Sequence, residues 1–262
     1  MTEKKSESAT EVVQNPEGLW DTAKTVFYAV LIALSIRTMA FEPFNIPSGS
    51  MIPTLLVGDY LFVSKFSYGY SRHSLPLSPD IFSGRVLYTV PERGDVAVFK
   101  LPSDNETDYI KRLVGVPGDR IQMRRGRLYI NDKILPRKRI KDFVMRDEMG
   151  NFRAIAQYIE TLPNGRDHRI LEMLADNGQL DDTPVFIVPK GHYFAMGDNR
   201  DNSLDSRVPN ERGMNGVGFV PVENLVGRAE VMFFSTDGSA AWWEIWGWFQ
   251  ATRFSRFFSV IE

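Results

Sequence analysis

From residue 42 onward the chain is cut into short runs that suit one kind of secondary structure. DYLFVSKF (59–66), DVAVFKL (95–101), YIKRLVGV (109–116), RIQM (120–123), RLYIND (127–132), PVFIV (184–188) and HYFAM (192–196) are rich in Val, Ile, Phe and Tyr. Gly, Pro, Asn and Asp bound them, as at 91–95, 117–119 and 131–132. Branched and aromatic side chains fit a pleated surface, and the bounding residues supply its turns. No helix-length segments alternate with these runs, which disfavours a doubly wound sheet or an α/β barrel. The expected fold is therefore mainly β. Residues 133–182 are more charged and irregular and read as part of an insertion, with a short helix expected at 169–175. Within it, Arg137, Lys138 and Arg139 read as a solvated face rather than a binding patch.

The N-terminal region differs in texture. Residues 1–19 are polar, with Glu3, Glu7, Glu11 and Glu17 against Lys4 and Lys5. Val26 to Ile36 then forms the longest apolar run, and extending it to 25–41 includes Arg37 as the one charge. That length lies at the short edge of a membrane span, for which roughly 17–25 residues are needed. A buried core helix or an uncleaved apolar leader fits the same run. A removed signal peptide is disfavoured, since no small-x-small site follows and the preceding tail is acidic. Arg37 can snorkel toward headgroups. Lys24 and Arg37 on either side cancel, so charge leaves the orientation open. At the other end Trp242, Trp243, Trp246 and Trp248 precede Phe254, Phe257 and Phe258, interspersed with Arg253 and Arg256. Such rings and cations suit a membrane interface, and an aromatic plug closing the fold suits them too.

Composition removes several chemistries. The 262 residues carry 31 Lys and Arg against 33 Asp and Glu, a net charge of −2, which is no footprint of a nucleic-acid binder. The absence of cysteine excludes disulfides, thiolate metal sites and a cysteine nucleophile. The three histidines, His73, His168 and His192, are scattered and lack zinc-hydrolase spacing. A hydrolase built on this chain is expected to use a base other than histidine.

Three clusters carry chemistry. In Pro47-Ser48-Gly49-Ser50-Met51-Ile52-Pro53, two prolines restrict a turn that places two hydroxyls two residues apart. Such a turn can aim a hydroxyl and a backbone N–H at one point, as a nucleophile and an oxyanion donor require; an ordinary loop is the alternative. In DYIKRLVGVPGDR (108–120), an extended strand puts Tyr109, Lys111 and Leu113 on one face. A lysine between an aromatic ring and a leucine loses hydration, which lowers its pKa and makes its amine a competent base. A strand lysine snorkelling to solvent is the alternative. GDNRDNSLDSR (197–207) does not meet the spacing of a calcium loop. It reads as a polar loop or as a network in which Ser203 orients a base while Asp198, Asp205 and Arg207 pair.

In this order, after an apolar segment, PSGSM…PTL…GD (47–59), RGDVAVFK with DYIKRLVGVPGD (93–119) and GDNRDNSLDSR (197–207) resemble the bacterial type I signal peptidases. The resemblance covers roughly residues 42–123 and 189–235. It implies Ser50 as nucleophile, Lys111 as general base, and Ser48 as the hydroxyl that joins the Ser50 N–H in an oxyanion hole. It implies that Ser203 hydrogen-bonds the lysine and that Asp205 and Arg207 form a supporting ion pair. Phe44, Ile46, Leu55, Leu61, Tyr109 and Ile110 align with an apolar wall that receives small side chains. The implied architecture is an antiparallel-sheet catalytic core (42–123 and 189–262) with a smaller inserted β subdomain (124–188). It follows a polar cytoplasmic tail (1–24) and one transmembrane helix (25–41), although many members carry two spans.

The reaction so implied is cleavage of exported preproteins after small residues at −1 and −3, through an acyl-enzyme, on the outer side of the cytoplasmic (inner) membrane. The implied partners are the signal-peptide region of those preproteins and the lipid bilayer; no metal, cofactor or nucleic acid is called for. Two other classes compete. A soluble Ser/Lys repressor-type protease shares the dyad but needs a DNA-binding module, for which no basic helix-turn-helix segment is present. A non-enzymatic tethered β-domain has no need of both Ser50 and Lys111.

Overall fold

A computed structural model describes residues 17–75, 78–146, 151–174, 177–210, 216–241 and 243–262, in two units, the first ending at Arg37 and the second running from Thr38 to Glu262. The expected polar tail lies largely outside the described residues. Helix α1 (Glu17–Met39) contains the apolar run, and Trp20–Met39 is long and apolar enough to cross a membrane. It begins earlier than expected, and Thr22 and Thr25 donate their hydroxyls back to the carbonyls of Gly18 and Asp21. It ends at Met39, short of the expected residue 41, because Phe41 already opens an extended segment in which Pro43 holds Glu42 extended.

The second unit is mainly β, as expected. Strands β1 (Phe41–Asn45), β2 (Asp59–Ser64), β3 (Val96–Lys100) and β4 (Asp108–Gly115) belong to its largest sheet. The chain then makes β5 (Arg120–Arg124), β6 (Arg127–Ile130), β7 (Lys133–Ile134), β8 (Arg137–Arg139), β9 (Phe143–Arg146), β10 (Phe152–Thr161), β11 (Asp167–Glu172) and β12 (Phe186–Ile187). It returns to the largest sheet with β13 (His192–Met196), β14 (Val220–Pro221) and β15 (Leu225–Ser235), and α2 (Ile245–Ala251) follows. Seven antiparallel strands run in the order β1-β2-β15-β3-β4-β13-β14. Two four-stranded sheets stand beside them, β12-β5-β6-β7 and β11-β10-β8 with β9 also on β10. The β5–β6 hairpin turns at Arg125 and Gly126, so residue 124 falls inside a hairpin.

Alternation explains the main sheet. In β2, Leu61 and Val63 are fully buried while Tyr60 and Phe62 look outward. Burying one such aliphatic side chain stabilises the fold by about 1.5–3 kcal/mol. Leu61 and Val63 join Ile46, Met51, Leu55, Val96, Val98 and Met232 in one core cluster, with Phe44 and Ile110 packed against it. β15 lies between β2 and β3 and pairs with both, with register breaks against β2 between Ala229 and Val231 and between Met232 and Phe234.

The short helix expected at 169–175 is not formed. Residues Asp167–Glu172 are strand β11, whose Ile170 and Leu171 are buried and whose partner is the ten-residue β10. Pairing along six positions outweighs the weak helical preference of so short a segment. In the basic run, Arg137 lies 4.1 Å over the Tyr158 ring and pairs with Glu172, while Lys138 and Arg139 stay exposed.

Candidate active site

The Ser50 turn and β4 meet at the mouth of a groove of about 510 Å³. Gly49–Met51 forms a single tight helical turn, and Ser48, at its N-cap, is extended (φ −125°, ψ 154°). This places the Ser48 and Ser50 hydroxyls 3.4 Å apart. Lys111, on β4, puts its Nζ 2.8 Å from Ser50 Oγ, and donates a second bond to the Ile110 carbonyl at 3.0 Å. The amine lies 5.2 Å over the Tyr109 ring. Only 4% of Lys111 and 7% of Ser50 are exposed, so both are nearly dry before any ligand arrives. Burial lowers the Lys111 pKa to about 8, against the opposing pull of Asp205 and Asp198. A substantial part of the amine is therefore neutral at mildly alkaline pH, able to accept a proton from the hydroxyl it touches.

The loop 197–207 packs against this pair. Asp205 and Arg207 form a bidentate ion pair at 2.8 and 2.9 Å, and Asp205 also accepts the Gly197 N–H. Burial alone would raise the Asp205 carboxyl, and Arg207 more than reverses this. Asp198 does not join that pair, contrary to the sequence reading. It is held by Arg112 through two bonds of 2.8 and 2.9 Å and accepts the Thr54 hydroxyl. Alternation along β4 turns Arg112 to the opposite face from Lys111, where Asp198 lies.

Ser203 makes no hydrogen bond to Lys111; its hydroxyl is buried with no partner among the described residues. It faces Asp205 and lowers that carboxyl slightly, outside hydrogen-bond geometry. Gly197 explains the crowding here. A Cβ on it would sit 2.3 Å from Ser203 Oγ and 2.6 Å from the Ser50 carbonyl, so only glycine lets loop and serine turn approach this closely.

Phe44, Ile46, Tyr109 and Ile110 line the groove with Ser48, Ser50 and Lys111. Leu55 and Leu61 do not line it; they are fully buried behind Ile46 in the core. Sequence reasoning missed Asn202 and Leu204, which also line the groove, and Thr54 and Arg112, which hold Asp198. It also missed Asn199, whose N–H bonds the Ser50 carbonyl at 3.0 Å and whose amide bonds the Gly49 carbonyl at 3.2 Å. The signal for Asn199 was its place inside 197–207, but a chain of letters does not say which carbonyl an amide will find.

None of the histidines lines the groove. Burial, followed by the nearby Arg72 and Arg112 respectively, lowers His73 and His168 to about 4, leaving both neutral. Among the described residues the acidic group Glu172, Asp181 and Asp201 has the spacing of a cation site, but none of the three lines the groove. Burial raises the Glu172 carboxyl to about 8, so it is largely protonated at neutral pH.

Comparison with known proteins adds the following. Residues 19–234 match the family model described as signal peptidase, peptidase S26. Signal peptidase I of Rickettsia typhi is 41% identical over 249 residues, covering 88% of this chain and 89% of that protein. Signal peptidase I of Rickettsia canadensis is 40% identical over 253 residues, covering 90% and 91%. A signal peptidase I crystal structure from Enterococcus faecalis matches at 24% identity with a TM-score of 0.29, covering 53% of this chain and 97% of that one.

Proposed function

The chain belongs to the peptidase S26 family of signal peptidases, membrane-anchored serine endopeptidases that remove signal peptides, and we propose that Ser50 is its nucleophile and Lys111 its general base. The observation that carries this reading is the 2.8 Å contact between a dry lysine amine and a serine hydroxyl beside an apolar groove. Neutral Lys111 takes the Ser50 proton as Oγ attacks the carbonyl carbon of the −1 residue. The oxyanion is received by the Ser50 N–H and the Ser48 hydroxyl. The Tyr109 ring and the Ile110 carbonyl stabilise the ammonium that forms. That ammonium then protonates the departing amine, leaving an ester on Ser50. Lys111, neutral again, deprotonates a water that attacks the ester. As the C–Oγ bond breaks, the ammonium returns that proton to Ser50 Oγ and the new C-terminus departs, losing its acid proton to solvent as a carboxylate.

Two free edges favour an extended substrate. The outer edge of β1 has no partner strand among the described residues. The β13 ladder on β4 ends at Arg112, and among the described residues no strand pairs with residues 108–111 on that side. A peptide adding between them turns its −1 and −3 side chains the same way. Phe44, Ile46, Tyr109 and Ile110 leave room there for small groups, and Leu55 and Leu61 stiffen the wall from behind. In a purified preprotein with Ala at −1, Ala→Val should lower kcat/KM roughly ten- to two-hundredfold and Ala→Phe should stop cleavage. Equal processing of all three would exclude this groove as the −1 site.

Trp20–Met39 is read as the span, with the N-terminus in the cytoplasm and the second unit outside the cytoplasmic membrane, where cleavage sites emerge. That unit is read as resting on the bilayer. Ring contacts run from Phe66 through Phe41, Phe62, Phe233, Tyr60, Phe234 and Phe257 to Phe254 and Phe249, across the outward side of β1, β2 and β15. Trp246 is 89% exposed beyond it, and Trp243 and Trp248 are also exposed, an arrangement unlike a core plug. Trp242 lies outside the described residues. Arg256 fastens this tail to Asp59 by two bonds of 2.6 and 3.0 Å. Protease added to right-side-out spheroplasts should digest the second unit and spare the first twenty residues. Trp246→Ser with Trp248→Ser should weaken liposome binding of a chain that starts at Phe41 while short-peptide cleavage persists. The reverse digestion pattern, or unchanged binding, would reject the respective reading.

A further inference from the structure

The segment Ile81–Val90 breaks two rules at once. Leu87 is 76% exposed, Ile81 70%, Val90 65% and Val86 55%, an apolar cluster outside both the groove and the aromatic row. Leu87 also holds a φ of +53°, the left-handed region that a branched side chain adopts at a cost. The segment is nevertheless firmly built. Arg85 donates to the carbonyls of Tyr68 and Val222 at 3.0 Å, and to those of Gly69 and Leu225 at 2.6 Å. Val86 and Tyr70 exchange both backbone bonds at 2.8 Å. At Gly69 an added Cβ would lie 2.4 Å from the Leu87 carbonyl. The fold thus over-determines a strained, apolar, water-facing tip, the combination that marks a contact surface.

Its attachment indicates the partner. Tyr70, which pairs with Val86, donates its phenol to the Met39 carbonyl at 2.6 Å, and the Lys65 N–H bonds Ala40 at 3.0 Å. Met39 is the last residue of the apolar span. The tip is therefore tied, through one tyrosine side chain, to the point where the chain leaves the hydrocarbon. We propose that Ile81–Val90 is a lipid-seating element, with Ile81, Val86, Leu87 and Val90 entering the headgroup–acyl boundary beside the end of the span. This rests on reading Trp20–Met39 as a span and the second unit as lying on the outer leaflet. A unit held only at its anchor can pivot; a seat at this loop, added to the aromatic row, fixes its tilt and so the height of the groove.

The chain has no cysteine, so single labels are clean. Leu87→Cys, Ile81→Cys, Trp246→Cys and Arg125→Cys, the last in the exposed β5–β6 turn, each carry an environment-sensitive fluorophore on the full chain. The proteins are reconstituted in vesicles of phosphatidylcholine and phosphatidylglycerol, and only variants that cleave a short soluble peptide at the unlabelled rate are read. Labels at 87 and 81 should lose at least half their emission to lipids bearing a shallow acyl nitroxide. Their quenching by iodide should fall severalfold relative to detergent, while the label at 125 changes in neither test. If 246 is quenched by the nitroxide lipid and 87 and 81 are not, this inference fails alone. If none is quenched, the seating reading of the whole unit fails with it. Shielding of 87 only on adding preprotein, or only as protein density rises, would assign the loop to substrate or to a second copy and overturn the inference.

Discussion

Lys111→Ala should reduce preprotein cleavage by roughly four orders of magnitude or more, and Ser50→Ala should do the same, with folding and membrane attachment retained. The two residues form one unit through a single 2.8 Å contact, so the double variant should be hardly worse than either single one. Lys111→Arg should fail as completely, because a guanidinium does not deprotonate in the working range. Ser203→Ala, beside the pair but unbonded to it, should lower kcat tenfold to a thousandfold if its hydroxyl orients the amine during turnover, and leave kcat unchanged if it is only packing. kcat/KM should rise along a limb near pH 8, where burial has placed the lysine. A flat profile from pH 5 to 9, or more than a few per cent activity in Lys111→Ala, would refute a lysine base.

The same lysine makes a stability prediction of definite sign. Its folded pKa of about 8 lies below the ordinary 10.5, so between these values the unfolded chain binds the extra proton. Stability should therefore rise with pH across that window, by up to about 1.4 kcal/mol per pH unit from this group. Lys111→Met should abolish that part of the slope.

The second large effect lies behind the groove. Asp198→Ala should destabilise the protein by about 3–5 kcal/mol, because it leaves the Arg112 guanidinium charged and unpaired in the interior. The two side chains are 2% and 1% exposed, so water cannot take over the lost contact. Burial alone would raise the Asp198 carboxyl, yet Arg112 holds it below the usual range, which shows how tightly the charges are coupled. Activity should fall as well, since the next residue, Asn199, bonds the carbonyls of Gly49 and Ser50. Arg112→Met combined with Asp198→Leu should recover much of the stability, as an apolar pair replaces an ionic one. Denaturant titration decides the matter: a loss under 1 kcal/mol in Asp198→Ala would mean that the pair is solvated in the folded protein.

The sequence alone determined what local pattern controls. Alternation of buried aliphatics with outward rings marked 59–64 as a strand, a short run of branched and aromatic residues marked 96–100, and the absence of cysteine with three isolated histidines turned attention to Lys111 and Ser50. Other features depend on groups far apart along the chain. Whether 169–172 is helix or strand depends on β10 beside it, because four residues cannot nucleate a helix alone. Asp198 found Arg112 rather than Arg207, 86 positions away, through strand parity and burial. Leu55 and Leu61 went behind the wall rather than onto it, since apolarity marks a residue for burial without saying on which side of a sheet. The lysine pKa was decided last of all: it depends on water excluded by a turn 61 residues earlier and a loop nearly a hundred residues later, and desolvation is a property of the space around an amine, which only the assembled fold encloses.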